Sequence, residues 1–264
     1  MWKVSKYKIL TLLEDKLFKF ILISFFIVLN YNVFISSGVL SAGSREFNQL
    51  LKYTLLINNF TIISTLYGQL VGIYIGTGLI GDDIPSGKLY IMITSFPKRW
   101  KYLLGNFLGL LLILLFFLLL ILFNYFVCTT ILDIVINYSD LVQCFLYIFM
   151  NMMVVMIVTA VSSIFILGKV SLIVGLIEMA IFNIYTFQKI PFFGYQLNLN
   201  INVRRILACI APITNVSAPS IYNDGSLERY MVTPILINNM FIYQLIFIFL
   251  ILILGIISFE YKEL

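Results

Sequence analysis

Long apolar runs alternate with short polar interruptions along this chain. The runs fall at 17–36, 55–80, 103–127, 141–167, 170–187 and 240–258. A helix needs about 20 apolar residues to cross the hydrocarbon core of a bilayer, and each run is close to that length or beyond it. The pattern predicts an all-α integral membrane protein, with six transmembrane helices in one domain covering 1–264. The apolar stretch near the start is too long for a secretory signal, and no small-residue cleavage site follows it, so it is expected to stay as a span.

The interruptions differ from one another. Over 1–19, Trp2, Tyr7, Leu10, Leu13 and Leu17 recur at helical spacing, with Lys3, Lys6, Lys8 and Lys16 between them. This suits an amphipathic helix in the headgroup region, its lysines reaching anionic lipid; a plain basic flank of the first span fits as well. A polar loop over 37–52 leads to span two. The segment 81–102 is the longest polar interruption in the first two thirds of the chain. Only Gly168 and Lys169 separate spans four and five, which predicts a tight antiparallel hairpin. The stretch 188–230 is too long for a turn and too apolar for a free loop. Within it, 206–220 is too short to span and is broken by Pro212 and Pro219, as in re-entrant or interfacial pieces.

Composition strengthens the membrane reading and removes most chemistry. The chain is 61% hydrophobic and 11% charged, with a mean hydropathy of +1.04, whereas soluble domains are nearer a quarter charged. It has no histidine. That removes the commonest general base, the commonest zinc ligand and the Ser/His and Cys/His nucleophile pairs. Cys128, Cys144 and Cys209 have neither metal-like spacing nor an even count. No catalytic residue and no metal site is expected. Of the 17 Lys and Arg residues, eleven fall on the side of the N-terminus, the 81–102 segment, Lys169 and Lys262. The positive-inside rule then places both termini in the cytoplasm.

Three features carry candidate chemistry. Gly68, Gly72 and Gly76 share one face of span two, where small residues let helix backbones approach closely; packing within one subunit and packing between subunits both fit. Glu178 sits in the middle of span five, where a charged carboxylate costs a few kcal/mol. It either touches substrate or a switch, or it bonds a polar neighbour such as Asn183 or Asn151. GDDIPSGK, at 81–88, resembles a phosphate loop only superficially. Five residues separate Gly81 from Gly87 where the motif has four, and Leu89 stands where Ser or Thr would hold magnesium. Nucleotide binding by this chain is therefore rejected. What remains is a short amphipathic segment, capped by Ser86 or Asp83, with apolar Leu89, Ile91, Met92 and Ile93, and stopped by Pro97. Such a segment docks in a groove of another protein, or its Lys98, Arg99 and Lys101 only set topology.

In layout the whole chain resembles the membrane subunits of bacterial ATP-binding-cassette (ABC) exporters of the second permease class, also termed type V exporters. That family has an amphipathic helix before span one, six spans, an acidic glycine-containing coupling segment after span two and re-entrant pieces before span six. After span two its pattern is an acidic residue, a Gly four later, an apolar run, then Pro and Arg, then Gly or Lys entering span three. Asp83, Gly87, the run 89–93, Pro97, Arg99 and Gly105 occupy those places. The Gly-to-Pro spacing is slightly long, and Asn106 stands where Lys is common. The specific part of the resemblance covers only the 81–105 stretch.

The resemblance implies a transport subunit and no enzyme. Two ATPase subunits would bind beneath a pair of membrane subunits, the second being another copy of this chain or a paralogous permease. ATP and magnesium would sit on the ATPase, leaving this chain without a cofactor. Asp83, Gly87, Lys88, Leu89, Ile91, Met92 and Arg99 would form or flank the docking surface of a cytoplasmic coupling helix, and Glu178 would face the substrate path. Compact permeases of this kind sit in the bacterial cell membrane and export or expel amphipathic peptides such as lantibiotics, bacteriocins and toxins. The Ile/Asn/Lys-rich bias suits a low-GC Gram-positive source. Drugs or lipids fit the same physics. An ATP-independent carrier is the alternative; it usually shows repeats or several intramembrane charges. A membrane-embedded enzyme would need paired acids or a Ser/His site, and a nucleic-acid partner is not expected.

Overall fold

The computed structural model describes residues 2–38, 45–78, 99–133, 138–166, 168–187 and 238–261. Within them the chain forms seven helices and no strand: α1 (Trp2–Glu14), α2 (Lys16–Gly38), α3 (Arg45–Thr77), α4 (Arg99–Leu132), α5 (Tyr138–Phe165), α6 (Gly168–Phe187) and α7 (Asn238–Tyr261). Most of the expected coupling segment and the whole re-entrant stretch at 188–230 lie outside the described residues.

Among the described residues, five helices are long and apolar enough to cross a membrane, over Lys16–Val33, Phe60–Thr77, Arg99–Leu132, Cys144–Phe165 and Gln244–Tyr261. The described apolar stretch of α6, Val170–Ala180, is shorter. An all-helical fold with multi-pass membrane character follows.

α3 and α5 form the centre. They make the most extensive helix pair in the fold. The apolar window of α5 is 78% buried, against 22% for those of α2 and α7, so the latter two are peripheral. The central pair is close because α3 presents glycine. A Cβ on Gly72 would stand 2.8 Å from the Met152 carbonyl oxygen, and one on Gly76 would stand 2.7 Å from that of Met156. These glycines are thus used inside the subunit. As α3 runs from Gly68 to Gly76, its partners advance from Met152 to Ala160, so α3 and α5 run parallel. Removing hydrocarbon from lipid gains little, so it is this close contact and the interlocking rings that hold the helices. Phe25 packs on Tyr67 and Phe117, and Phe60 on Tyr125 and Phe145, with ring centroids 5.1–6.3 Å apart.

Two helices outrun the spans expected of them. α3 begins at Arg45, inside the expected 37–52 loop, because REFNQLLK is made almost wholly of good helix formers. α4 extends from Arg99 to Leu132 instead of 103–127, and Asp133 closes it in the left-handed region at φ 53°, a common helix ending. The Leu/Ile/Phe run of α4 is two-sided. Leu108, Leu112, Phe116, Leu119 and Phe123 are exposed, while Leu110, Ile113, Leu114, Phe117 and Ile121 are buried.

Candidate functional site

Two places in the bundle combine polar side chains with helix packing. The first is the end where α1 lies. α1 does not merely float at a membrane surface: it buries Val4, Ser5, Lys8 and Leu12 and exposes Trp2, Tyr7, Leu10 and Leu13. The buried stripe sits on α4. Ser5 Oγ donates to the Gly105 carbonyl at 2.6 Å, and a Cβ on Gly109 would stand 3.1 Å from the Ser5 carbonyl oxygen. Lys8 was grouped with the lysines that reach lipid, but it is buried. Its Cβ lies against Gly109, and its Cε lies against Gly78 just past the end of α3. The stem of a lysine covers apolar surface well, and composition alone could not show which lysine of α1 would do so.

An elbow at Asp15 joins α1 to α2. The Asp15 carboxylate accepts the Leu17 amide N–H at 2.8 Å, a helix cap, and also accepts the Tyr74 hydroxyl of α3. The Tyr74 hydrogen bond, with the Leu17 and Phe18 amides, holds this carboxyl below its ordinary range despite some burial. Phe18 stacks on the Tyr74 ring, centroids 6.4 Å apart. α1 and its elbow therefore grip the end of α3 and the start of α4, the two helix ends that flank residues 79–98. Arg99, the half-buried first residue of α4, is the one expected docking residue that the described structure contains. Asp83, Gly87, Lys88, Leu89, Ile91 and Met92 lie outside it. The Lys101 ammonium rests 5.9 Å from the Trp100 ring centroid.

The second place is the seam between α3, α5 and α6. Ser171, Gly175 and Glu178 share one face of α6 and are buried. A Cβ on Gly175 would stand 2.5 Å from Thr159 Oγ1 and 3.0 Å from Ile73 side-chain carbons, so this face meets both central helices. Glu178 is only 8% exposed, and neither carboxylate oxygen has a hydrogen-bond partner. The partner offered by sequence, Asn151, is otherwise engaged. It donates to the Tyr147 carbonyl at 3.0 Å and accepts from Gln69 at 3.5 Å. Asn183, the other, has no described side chain.

α3 buries further polar atoms along the line of its glycines. Thr61, Ser64 and Thr65 are buried, and their hydroxyls have no partner. They continue the line of Gly68 and Gly72 at helical spacing. Across the bundle the Asn124 amide nitrogen of α4 is likewise without one. Sequence reading missed the three hydroxyls; their spacing relative to the glycines was the available signal. Among the described residues no group of His, Cys, Asp and Glu could hold a metal ion.

Comparison of the chain with protein-family models, curated proteins and solved structures found no match.

Proposed function

We propose that this chain is the membrane subunit of an ABC transporter that exports amphipathic or hydrophobic substrates, foremost antimicrobial or toxin peptides. A separate ATPase hydrolyses the ATP. The domain has six spans, with α6 as the fifth, and both termini are cytoplasmic in a bacterial cell membrane. Two such subunits, identical or paralogous, pair above two ATPase subunits. Asp83, Gly87, Lys88 and the apolar run 89–93 supply the docking surface for the ATPase, and Arg99 follows them at the membrane boundary.

One observation carries this reading beyond the motif itself. The two helix ends that flank 79–98 are fastened to α1 and to its elbow with α2, through Ser5–Gly105 and Asp15–Tyr74. A push on the segment between them is passed to α2, α3 and α4 together, because α1 packs on α4 while Asp15 and Phe18, at the start of α2, hold Tyr74 of α3. A loop that only set topology would need no such fastening.

The test is co-purification followed by ATP hydrolysis. The chain should bring down an ATPase whose turnover rises with an amphipathic peptide. Gly87→Pro, or Leu89→Glu with Ile91→Glu, should abolish that rise while the protein still inserts in the membrane. Unchanged stimulation in these variants removes the docking role. Transport by the purified chain with no ATPase present would instead favour the ATP-independent carrier.

A further inference from the structure

α6 is seated in the bundle by an unusual set of side chains. Its described buried residues are Ser171, Gly175 and Glu178, spaced four and three apart and so on one stripe. The large apolar residues Val170, Ile173, Leu176 and Ile177 are exposed, and Leu172 and Met179 are half-buried. Among the described side chains of α6, the one large group wholly inserted into the bundle is therefore a carboxyl. Neither of its oxygens reaches the surface or a hydrogen-bond partner.

The packing fixes its level. One turn earlier, Gly175 brings α6 against Thr159 of α5 and Ile73 of α3. α6 returns antiparallel to α5 after a minimal turn, so Glu178, three residues beyond Gly175, lies about level with Met156. α3 runs parallel to α5, and its matching level is about Leu70. No charge on these elements answers the carboxyl. α6 packs chiefly on α3 and α5, and neither 53–77 of α3 nor 141–165 of α5 contains Asp, Glu, Lys or Arg. On α6 itself, Lys169 and Tyr185 stand about 10 Å or more away along the axis. Of the other titratable groups, Tyr67 packs on Phe25 of α2, and Tyr74 meets Asp15 and Phe18. Tyr53, Tyr138, Cys144 and Tyr147 lie about 13 Å or more along their helices from the level of Glu178.

Such a seat accepts a neutral carboxylic acid and rejects a carboxylate, because a buried ion without a partner is far costlier than a neutral polar group. We propose that Glu178 is a proton-binding site that latches α6 into the bundle. The packed bundle carries the proton, and α6 leaves α3 and α5 when the proton is lost. The step is an acid dissociation: the carboxyl O–H bond breaks, its electron pair stays on oxygen, and the proton passes to water. Linkage sets the sign. A carboxyl in water is ionised above about pH 4, so above that pH the freed helix binds one proton fewer than the seated one. The seat is strongest below about pH 4, and each pH unit above it favours opening by about tenfold. This goes beyond the exporter reading and does not depend on it.

The test uses the full chain in nanodiscs of uncharged lipid. The infrared difference between wild type and Glu178→Gln at neutral pH should contain the carbonyl stretch of a protonated carboxyl and no carboxylate stretch. Hydrogen exchange of α6 amides, followed by mass spectrometry, then reads the seat. Glutamine is a neutral isostere that does not ionise, so the intrinsic pH dependence of exchange cancels in the ratio of wild type to Glu178→Gln. That ratio should be constant below about pH 4 and rise by about tenfold for each unit above it, while the ratio for α4 amides does not change with pH. Glu178→Met supplies the same reference if Glu178→Gln fails to fold by circular dichroism. A carboxylate band in place of the acid band overturns the proposal. So does an α6 ratio that stays flat with pH, or one that rises equally in α4, since the whole bundle would then be yielding. Recruitment of an ATPase bears on none of these readouts, so this inference and the exporter reading fail separately.

Discussion

The α1 end of the bundle and the α3–α5–α6 seam treat polar groups in opposite ways. At the α1 end Ser5, Asp15 and Tyr74 are all paired, across helices that are distant in sequence. Among the central helices Glu178, Thr61, Ser64 and Thr65 are also buried, and none is paired. A satisfied polar contact fixes one geometry, because any other arrangement leaves a buried group without a partner. An unsatisfied one gives no such preference and remains open to whatever brings the missing partner. The first region is held in one arrangement by its own side chains, and the second leaves hydrogen-bonding capacity unused.

That contrast can be broken most severely at the glycine line that holds the seam shut. Gly72→Ile drives side-chain atoms into the Met152 backbone, which cannot yield as a side-chain tip could. A loss of about 3 kcal/mol, the upper range for overpacking, should appear as a lowered unfolding midpoint and poor recovery from the membrane. Next comes Glu178→Met. Replacing a buried carboxyl group that has no hydrogen-bond partner by an apolar side chain of similar length should stabilise the fold by about 1–3 kcal/mol, measured as a raised midpoint. Destabilisation would mean that the carboxylate already has a partner. At the paired end the sign reverses. Ser5→Ala leaves the Gly105 carbonyl without its side-chain donor and should cost about 1 kcal/mol, read as faster proteolytic release of α1.

Much of this architecture was legible from the chain, and the reasons are physical. Apolar runs of bilayer length can only be helical in lipid, so the long spans were readable, as was the α5–α6 hairpin from its minimal turn. The helix ends were not. Nothing in hydropathy distinguishes the polar start of α3 at Arg45 from a loop, since its residues favour helix without being apolar. Glu178 was readable as an anomaly because charge at depth is costly, yet its lack of a partner depends on where Asn151 points, which spacing does not encode. The fastening of α1 was hidden for a similar reason. Ser5, Asp15 and Tyr74 are ordinary residues whose meaning lies in contacts with residues 100 and 59 positions away.

The finest distinction between the regions is their response to acid. Asp15 is held below its ordinary carboxylate range, first by the Tyr74 hydroxyl and then by the Leu17 and Phe18 amides. A depressed folded-state value means that the linked stability is present above the unfolded value, near pH 4, and is lost as pH falls through the lower folded one. Tyr74→Phe removes the largest cause and lets the carboxyl return toward its ordinary range. The variant should therefore be weaker than wild type at neutral pH, and the gap should close below about pH 4. The carboxylate is largely open to solvent, so the gap should not exceed about 1 kcal/mol. It is still measurable, because both tryptophans of the chain, Trp2 and Trp100, stand at the starts of α1 and α4. Their fluorescence reports on this end and is silent on the seam. A wild-type signal that does not change between neutral pH and pH 3, or a Tyr74→Phe protein that matches wild type throughout, would show that the elbow is held by Phe18 packing alone. The transmission of force through α1 would then rest on the Ser5–Gly105 contact and the glycine-lined approach of α1 to α4.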